Sequence, residues 1–276
     1  EVDGGLTLRC SCRSSICGSC GMRINGKAGL ACNKSLKDSM PKDGGPIVVE
    51  PMGNMEVIKD LVTNMDMHWN KVRQVTPWLQ NSGPEPEHEY IAPNEDMLHL
   101  NGVMSCIMCG ACVSDCTSLE VDKNFLGPAA LAKAYRFVAD PRDDADFERL
   151  NDLNQPGGMW DCTRCMQCIE VCPKGVAPMD RIMSLRDKAM EAGVKETYGS
   201  RHAEFFAKSV EHSGWLDELR LPINTFGIFN IKEMVKMIPL AIRSKKAGKV
   251  PPIIHKKRPG ADHVARIFEK VESRKK

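Results

Sequence analysis

Twelve of the thirteen cysteines in this chain of 276 residues fall into three runs, and their spacing constrains the fold more than any other feature. Cys12, Cys17 and Cys20 follow C-x4-C-x2-C, with Cys32 after eleven intervening residues. Cys106, Cys109, Cys112 and Cys116 follow C-x2-C-x2-C-x3-C, and Cys162, Cys165, Cys168 and Cys172 repeat it and end on Pro173. Thiolates in sets of four are what iron–sulfur clusters require. The chain is therefore expected to fold around such clusters and to move electrons.

The first run is the plant-type arrangement, predicting one 2Fe-2S cluster on Cys12, Cys17, Cys20 and Cys32. Gly18 and Gly21 beside the ligands permit the backbone turns that point amides inward. Zinc or a disulfide knot is the competing use of these thiols, but the x4 gap followed by CGSCG is unlike the paired CxxC of zinc ribbons. In two-cluster ferredoxins the fourth cysteine of each run serves the other cluster. That rule predicts one 4Fe-4S cluster on Cys106, Cys109, Cys112 and Cys172, and another on Cys116, Cys162, Cys165 and Cys168. Cys10 is left over and is expected to be a buried, unligated thiol, and Met108 and Met166 are expected to be packing residues.

So many unpaired cysteines indicate a reducing compartment. No secretory h-region opens the chain and no apolar run is long enough to cross a bilayer, so the sequence is expected to be soluble by itself. Residues 243–276 carry twelve Lys or Arg against Asp262, Glu269 and Glu272, a balance of +9, which leaves −7 on the remainder of a chain whose total is +2. A basic tail on an acidic body suits an acidic partner, an anionic membrane surface or a solvated end. Nucleic acid is not an expected partner, since few aromatics interleave the charges and no reader motif occurs. No convergent set of Asp, Glu and His supplies acid–base chemistry, so no catalytic residue is assigned. His202 and His212 read as surface or hydrogen-bonding groups.

The organisation follows the cysteines, giving an α+β chain. Residues 1–75 read as a 2Fe-2S ferredoxin-type, β-grasp-like domain with a hairpin at Asn25-Gly26, a strand at 47–50 and a helix over Val57–Trp69 striped by Val57, Ile58, Leu61, Val62, Met65 and Trp69. Only eleven residues precede Cys12, so this domain is expected to lack its first strands. Residues 76–97 read as a proline-rich linker. Residues 98–195 form an α-helical two-cluster domain, with helices over PAALAKAYRFVAD, after DPRDD, and over MDRIMSLRDKAMEAG closed by Gly193. Residues 196–276 are a helical extension in which Ile231, Met234, Val235, Ile238 and Ile242 make a stripe interrupted by Pro239, packed by default into its own core.

The order of a plant-type loop, TPWL, CxxCxxCxxxC, FLGPAALAKAYRF, DPRDD and a last run ending VCPKG resembles the iron–sulfur subunit of the succinate dehydrogenase and fumarate reductase family over about residues 3–190. The resemblance implies an electron-transfer subunit between a FAD-bearing flavoprotein and a membrane-anchor or quinone-side subunit, peripheral on the cytoplasmic face of the membrane, with FAD only on the partner. Two departures stand out. Quinone-reducing members typically hold a 3Fe-4S centre in the last site, whereas here Cys165 fills the vacant ligand position, so a 4Fe-4S cubane of lower potential is expected. Their pocket-lining Pro-Ser, aromatics and His are replaced by Thr117, Ser118, Leu119, Glu120, Val121 and Thr163. The stretch YGSRHAEFFAKSVEHSGWLDELRLP is loosely similar to heterodisulfide-reductase subunits and to family members with a cysteine-rich, heterodisulfide-reductase-like partner. An adaptor ferredoxin of a thiol-linked fumarate reductase or heterodisulfide-type enzyme is therefore the alternative function.

Overall fold

Two antiparallel strands open the architecture, β1 (Gly21–Ile24) and β2 (Lys27–Leu30), paired Gly21 to Leu30 and Ile24 to Lys27. The computed structural model describes residues 4–273, so Arg274, Lys275 and Lys276 of the basic tail and the first three residues lie outside it. The hairpin forms where the sequence places it because Asn25 and Gly26 take φ of +50° and +76°, the left-handed pair that a two-residue turn requires. The short helix α1 (Leu36–Ser39) offers its Ser39 carbonyl to the Asn25 side chain. β3 (Val49–Glu50) completes a three-stranded sheet in the order β2-β1-β3.

The helix expected over Val57–Trp69 is instead a hairpin followed by a later helix. β4 (Val57–Lys59) pairs with β5 (Val62–Thr63), and α2 runs only over Asp66–Gln74. β-Branched residues on both arms favour strand, and Asp60, at φ +48°, makes the turn. Its carboxylate accepts from the Thr7 amide at 2.8 Å, while the Leu61 amide donates to the Thr7 carbonyl at 3.2 Å. That clasp to a distant segment stabilises a turn no local pattern announces. Val57 and Ile58 are exposed rather than striped inward.

Of the stretch expected as a surface linker, only the middle is free. Arg149 donates to the carbonyls of Val75, Thr76 and Trp78, and the Gln80 and Ser82 amides donate to Asp143 and Asp144. Residues 83–91 are exposed and without regular structure until α3 (Asn94–Met97). The short helices α4 (Ala111–Ser114) and α5 (Thr117–Val121) follow the second cysteine run.

The helical core is built on α6 (Pro128–Val138), which begins with proline at its first turn. Ala130, Leu131, Ala134, Tyr135 and Val138 are all buried, as the pattern predicts. Asp140, just past its end, is flanked by Arg136 and Arg142, each 2.8 Å away. After α7 (Asp146–Leu153) and the short α8 (Gln167–Glu170) comes α9 (Pro178–Glu191), which lays Ile182, Leu185 and Ala189 against α6. The fully buried Ile182 and Leu185 side chains each contribute about 2 kcal/mol. Helix α9 ends in a Schellman motif, with Gly193 at φ +76° and the Val194 amide donating to the Ala189 carbonyl at 2.8 Å.

The chain divides into two compact units, residues 1–194 and residues 195–276. The second holds α10 (Tyr198–Ser213), α11 (Leu221–Phe226), α12 (Ile231–Lys236), α13 (Ile238–Lys246) and α14 (Ala261–Ser273). Thr197 and Ser200 form a capping box at the start of α10. The stripe of the extension breaks at Met237, beside Pro239, and it is not packed inward. Ile231, Val235, Ile238 and Ile242 are each at least half exposed. His202 lies 3.5 Å from the Thr225 hydroxyl, consistent with a hydrogen-bonding role. Among the described residues no helix is long and apolar enough to cross a membrane.

Candidate iron–sulfur sites

All thirteen cysteines are free thiols. In the first loop the amides of Ser14, Ile16 and Cys17 donate to Cys12 Sγ at 3.3 to 3.4 Å, and the Ser15 amide donates to Cys32 Sγ at 3.3 Å. Left-handed backbone at Arg13, Ser15 and Gly18 alternates with ordinary backbone to turn these N–H groups inward. Such a concavity favours negatively charged sulfur. Hydrogen bonds from the Ser19 side chain and neighbouring amides pull the exposed Cys17 thiol down to about 6, whereas burial raises Cys20. Cys20 and Cys32 bring their sulfurs to 3.3 Å of each other. Cys10, expected to be buried, is exposed, in a segment before Cys12 that has no regular structure.

Two further loops repeat one backbone. Met108 and Arg164, each just before the second cysteine of its run, have φ of +55° and +58°, and Gly110 and Met166, each just after it, have +79° and +66°. A non-glycine residue in that region carries strain of about 1 kcal/mol or more. Met166 is half exposed and so only partly the packing residue expected, and its carbonyl accepts from the Ile169 and Glu170 amides, while Met108 packs on the core and lies 3.5 Å from Cys106 Sγ. Gly110 takes its conformation without strain, and the Met55, Met52 and Met65 methyls crowd round it.

Cys106, Cys109, Cys112 and Cys172 line one apolar pocket, closed by Ala129, Ala132 and Val176. Burial pushes Cys106 and Cys109 up and Cys112 well up, with neighbouring thiols adding to each. The thiols of the second set influence one another. Burial lifts Cys168 to about 12 and raises Cys116, and both feel Cys162 and Cys165. Against its partial burial, hydrogen bonds from the Thr117 side chain and the Gln167 amide hold Cys165 below its ordinary value. The raised thiols, Cys106, Cys109, Cys112, Cys116 and Cys168, stay protonated unless a metal charge draws the protons off. Soft sulfur donors in fours, with inward amides at the first place and an apolar lining at the middle one, fit iron–sulfur clusters. Among the described residues no three side chains converge as on a single ion.

Residues the cysteine spacing does not reveal hold these loops. Arg186, buried on α9, donates from Nε and Nη2 to the Met159 carbonyl at 2.9 and 2.7 Å, and from Nη2 to the Trp160 and Cys162 carbonyls at 2.9 Å each. Burial brings its guanidinium down to about 10, which leaves it charged at neutral pH. The Asn54 side chain donates to the carbonyls of Val113, Ser114 and Cys116 at 2.9, 3.2 and 3.0 Å. Asp115 accepts from the Ala28 amide at 2.8 Å. Lys71, also buried, donates to the carbonyls of Lys123 and Phe125. Ser118 and Thr163 are hydrogen-bonded to each other at 3.3 Å, Leu119 is wholly buried and Val121 is exposed.

The middle place neighbours both others. A Cβ built on Gly18 would lie 2.9 Å from Cys109 Cβ and 3.0 Å from its Cα, so the first loop sits directly on the second. Cys112, in the middle pocket, feels the thiol of Cys168 in the third set. Replacing Gly18 by alanine forces apart two backbones and strains φ at +75°. The expected result is a loss of about 2 kcal/mol or more of stability, read as a lower unfolding midpoint of the cluster-loaded chain, with reduced occupancy of the first site.

A small-sheet ferredoxin domain followed by a helical domain with paired cysteine loops defines an iron–sulfur electron carrier of the α+β class. The family models agree: residues 1–70 match the "2Fe-2S iron-sulfur cluster binding domain" and residues 102–176 the "4Fe-4S dicluster domain". The chain is 38% identical over 193 residues to the succinate dehydrogenase iron-sulfur subunit of Coxiella burnetii, spanning 69% of this chain and 80% of that protein. It is 38% identical over 187 residues to the same subunit of Paracoccus denitrificans, spanning 67% and 71%. It is 36% identical over 195 residues to the mitochondrial "succinate dehydrogenase [ubiquinone] iron-sulfur subunit 1" of Oryza sativa subsp. japonica, spanning 70% and 68%. The chain belongs to the succinate dehydrogenase iron–sulfur subunit family. A chain of the Mycobacterium smegmatis Sdh1 complex in the apo form shares the fold, with a TM-score of 0.63 and 24% identity over 69% of this chain and 80% of that one.

Proposed function

We propose that this chain is the electron wire of a succinate-oxidising complex. Cys12, Cys17, Cys20 and Cys32 hold a 2Fe-2S cluster; Cys106, Cys109, Cys112 and Cys172 a 4Fe-4S cluster; and Cys116, Cys162, Cys165 and Cys168 a second 4Fe-4S cluster. When bound, the clusters supply one-electron redox steps between a two-electron FAD on a flavoprotein partner and a membrane-anchor subunit. The chain's own residues supply ligands, inward amides and spacing, and no acid–base group. The observation that carries this reading is the contact of Gly18 with Cys109, which sets the first loop against a pocket lined by four cysteines from two distant runs. Residues 1–75, 76–97, 98–195 and 196–276 are its proposed functional parts, peripheral on the cytoplasmic face of the membrane. The polar pair Ser118 and Thr163, standing where quinone-pocket residues are expected, favours a second reading of the outlet. In it a cysteine-rich, heterodisulfide-reductase-like subunit accepts the electrons.

The test is anaerobic purification of the complex, with iron, sulfide, flavin and succinate oxidation measured together. About ten irons per chain are expected, two in the first site and four in each of the others, with co-purifying flavin and no oxidised-state 3Fe EPR signal. About nine irons with that signal would show that Cys165 is not a ligand. Absence of any flavoprotein would remove the wire reading.

A further inference from the structure

Residues 195–273 contain fifteen large apolar side chains that are exposed, whereas their buried residues are Ser200, Ser209, Ser213, Asp217, Thr225 and Ala261. Other apolar side chains, among them Phe205, Trp215, Leu216, Leu221, Ile223 and Phe226, are half-buried, so the unit's core is shallow and much of its apolar surface is left uncovered. The exposure concentrates in 228–254, with Phe229 at 96%, Ile253 at 85%, Ile228 at 74%, Ile231 at 72% and Ile254 at 71%. Along α12 and α13, Ile231, Val235, Ile238 and Ile242 recur at helical spacing, so both short helices carry an uncovered apolar stripe.

The charge around this stripe has one sign. Residues 228–258 contain nine Lys or Arg (Lys232, Lys236, Arg243, Lys245, Lys246, Lys249, Lys256, Lys257 and Arg258), all exposed, against Glu233 alone. Glu233 is already paired with Lys236 at 2.6 Å. Protein interfaces deplete lysine around their apolar centres. A bilayer boundary does the reverse, since apolar side chains enter the acyl region while lysine stems lie along it and place their ammonium groups among anionic headgroups.

We propose that residues 228–258 dock directly on an anionic lipid surface, with Ile228, Phe229, Ile231, Ile238, Ile253 and Ile254 entering the headgroup boundary. The contact is interfacial, neither helix being long enough to span. It goes beyond the electron-transfer reading and does not depend on it, because none of these residues belongs to a cysteine loop. It gives the chain its own membrane contact in addition to any anchor subunit.

The test uses the full cluster-loaded chain, without partner subunits, sedimented anaerobically with vesicles. Binding is expected to phosphatidylcholine vesicles containing phosphatidylglycerol, to fall steeply as salt is raised, and to be weak on phosphatidylcholine alone. The double variant Lys245→Glu, Lys246→Glu should weaken binding at least tenfold, and Phe229→Glu should weaken it with the visible absorption of the clusters unchanged. In a Phe229→Trp variant, compared with the parent chain, the added emission should shift to the blue and be quenched by brominated acyl chains. Equal binding to neutral and anionic vesicles, no vesicle binding, or an unquenched indole in that variant would overturn the proposal. So would tight binding to a soluble acidic protein in the absence of any lipid binding.

Discussion

Replacing Cys172 by alanine is expected to degrade the middle cluster, proposed to share Cys106, Cys109 and Cys112, and to leave the site of Cys162 and Cys165 filled. Cys172 lies in the third run by sequence, but its side chain lines the same pocket as Cys106, Cys109 and Cys112. A cubane with a ligand removed loses one iron or dissolves, so iron should fall from about ten to between six and nine per chain. The EPR signal lost should be the one also lost in Cys109→Ala. Cys116→Ala should do the converse, affecting the signal shared with Cys162→Ala. If Cys172→Ala instead removed the signal that depends on Cys162, the crossed assignment of the two fourth cysteines would be wrong. The pattern of shared losses decides the matter even if single variants are unstable, because each comparison is between two variants of one site.

The second large effect is expected at Arg186. Its guanidinium is the common donor for three backbone carbonyls leading into Cys162. Methionine preserves most of the buried volume but leaves those carbonyls without a partner. A hydrogen bond from a charged donor contributes about 1.5–3 kcal/mol and an orphaned buried acceptor costs about 1–3 kcal/mol, so Arg186→Met should lose about 3 kcal/mol or more. The loss should be selective: the third site is expected to empty first, while the 2Fe-2S absorption and EPR remain. Arg186→Lys should recover only part, since a point ammonium cannot span the three carbonyls that the planar fork reaches. Uniform loss of all three sites in Arg186→Met would make the residue a general fold element.

What the sequence made legible was whatever is encoded at short range. Cysteine spacing picked out the four thiols that line the middle pocket, Asn25-Gly26 located the hairpin, and Pro128 and Gly193 marked helix ends whose caps are local chemistry. The hairpin of β4 and β5 was not legible, because Val57, Ile58, Leu61 and Val62 fall at intervals that suit a helix as well as two short strands. The decision is made by Thr7 at Asp60, a contact across 53 residues. Arg186, Asn54 and Asp115 left no signal for the same reason: each acts on backbone atoms brought near by folding. The uncovered stripe in the extension was visible as a pattern, but periodicity states only that one face is apolar and is silent on what covers it.

The contacts made by Asn54 and Asp115 have a consequence for timing. One side chain from the small-sheet half holds three carbonyls of the turn between Cys112 and Cys116, and one carboxylate returns the grip to Ala28. Two halves joined from both Asn54 and Ala28 to residues 113–116 are held against swinging apart as hinged carriers do. The gap an electron must cross between them is thus set when the chain folds, and passage does not wait on a diffusive search.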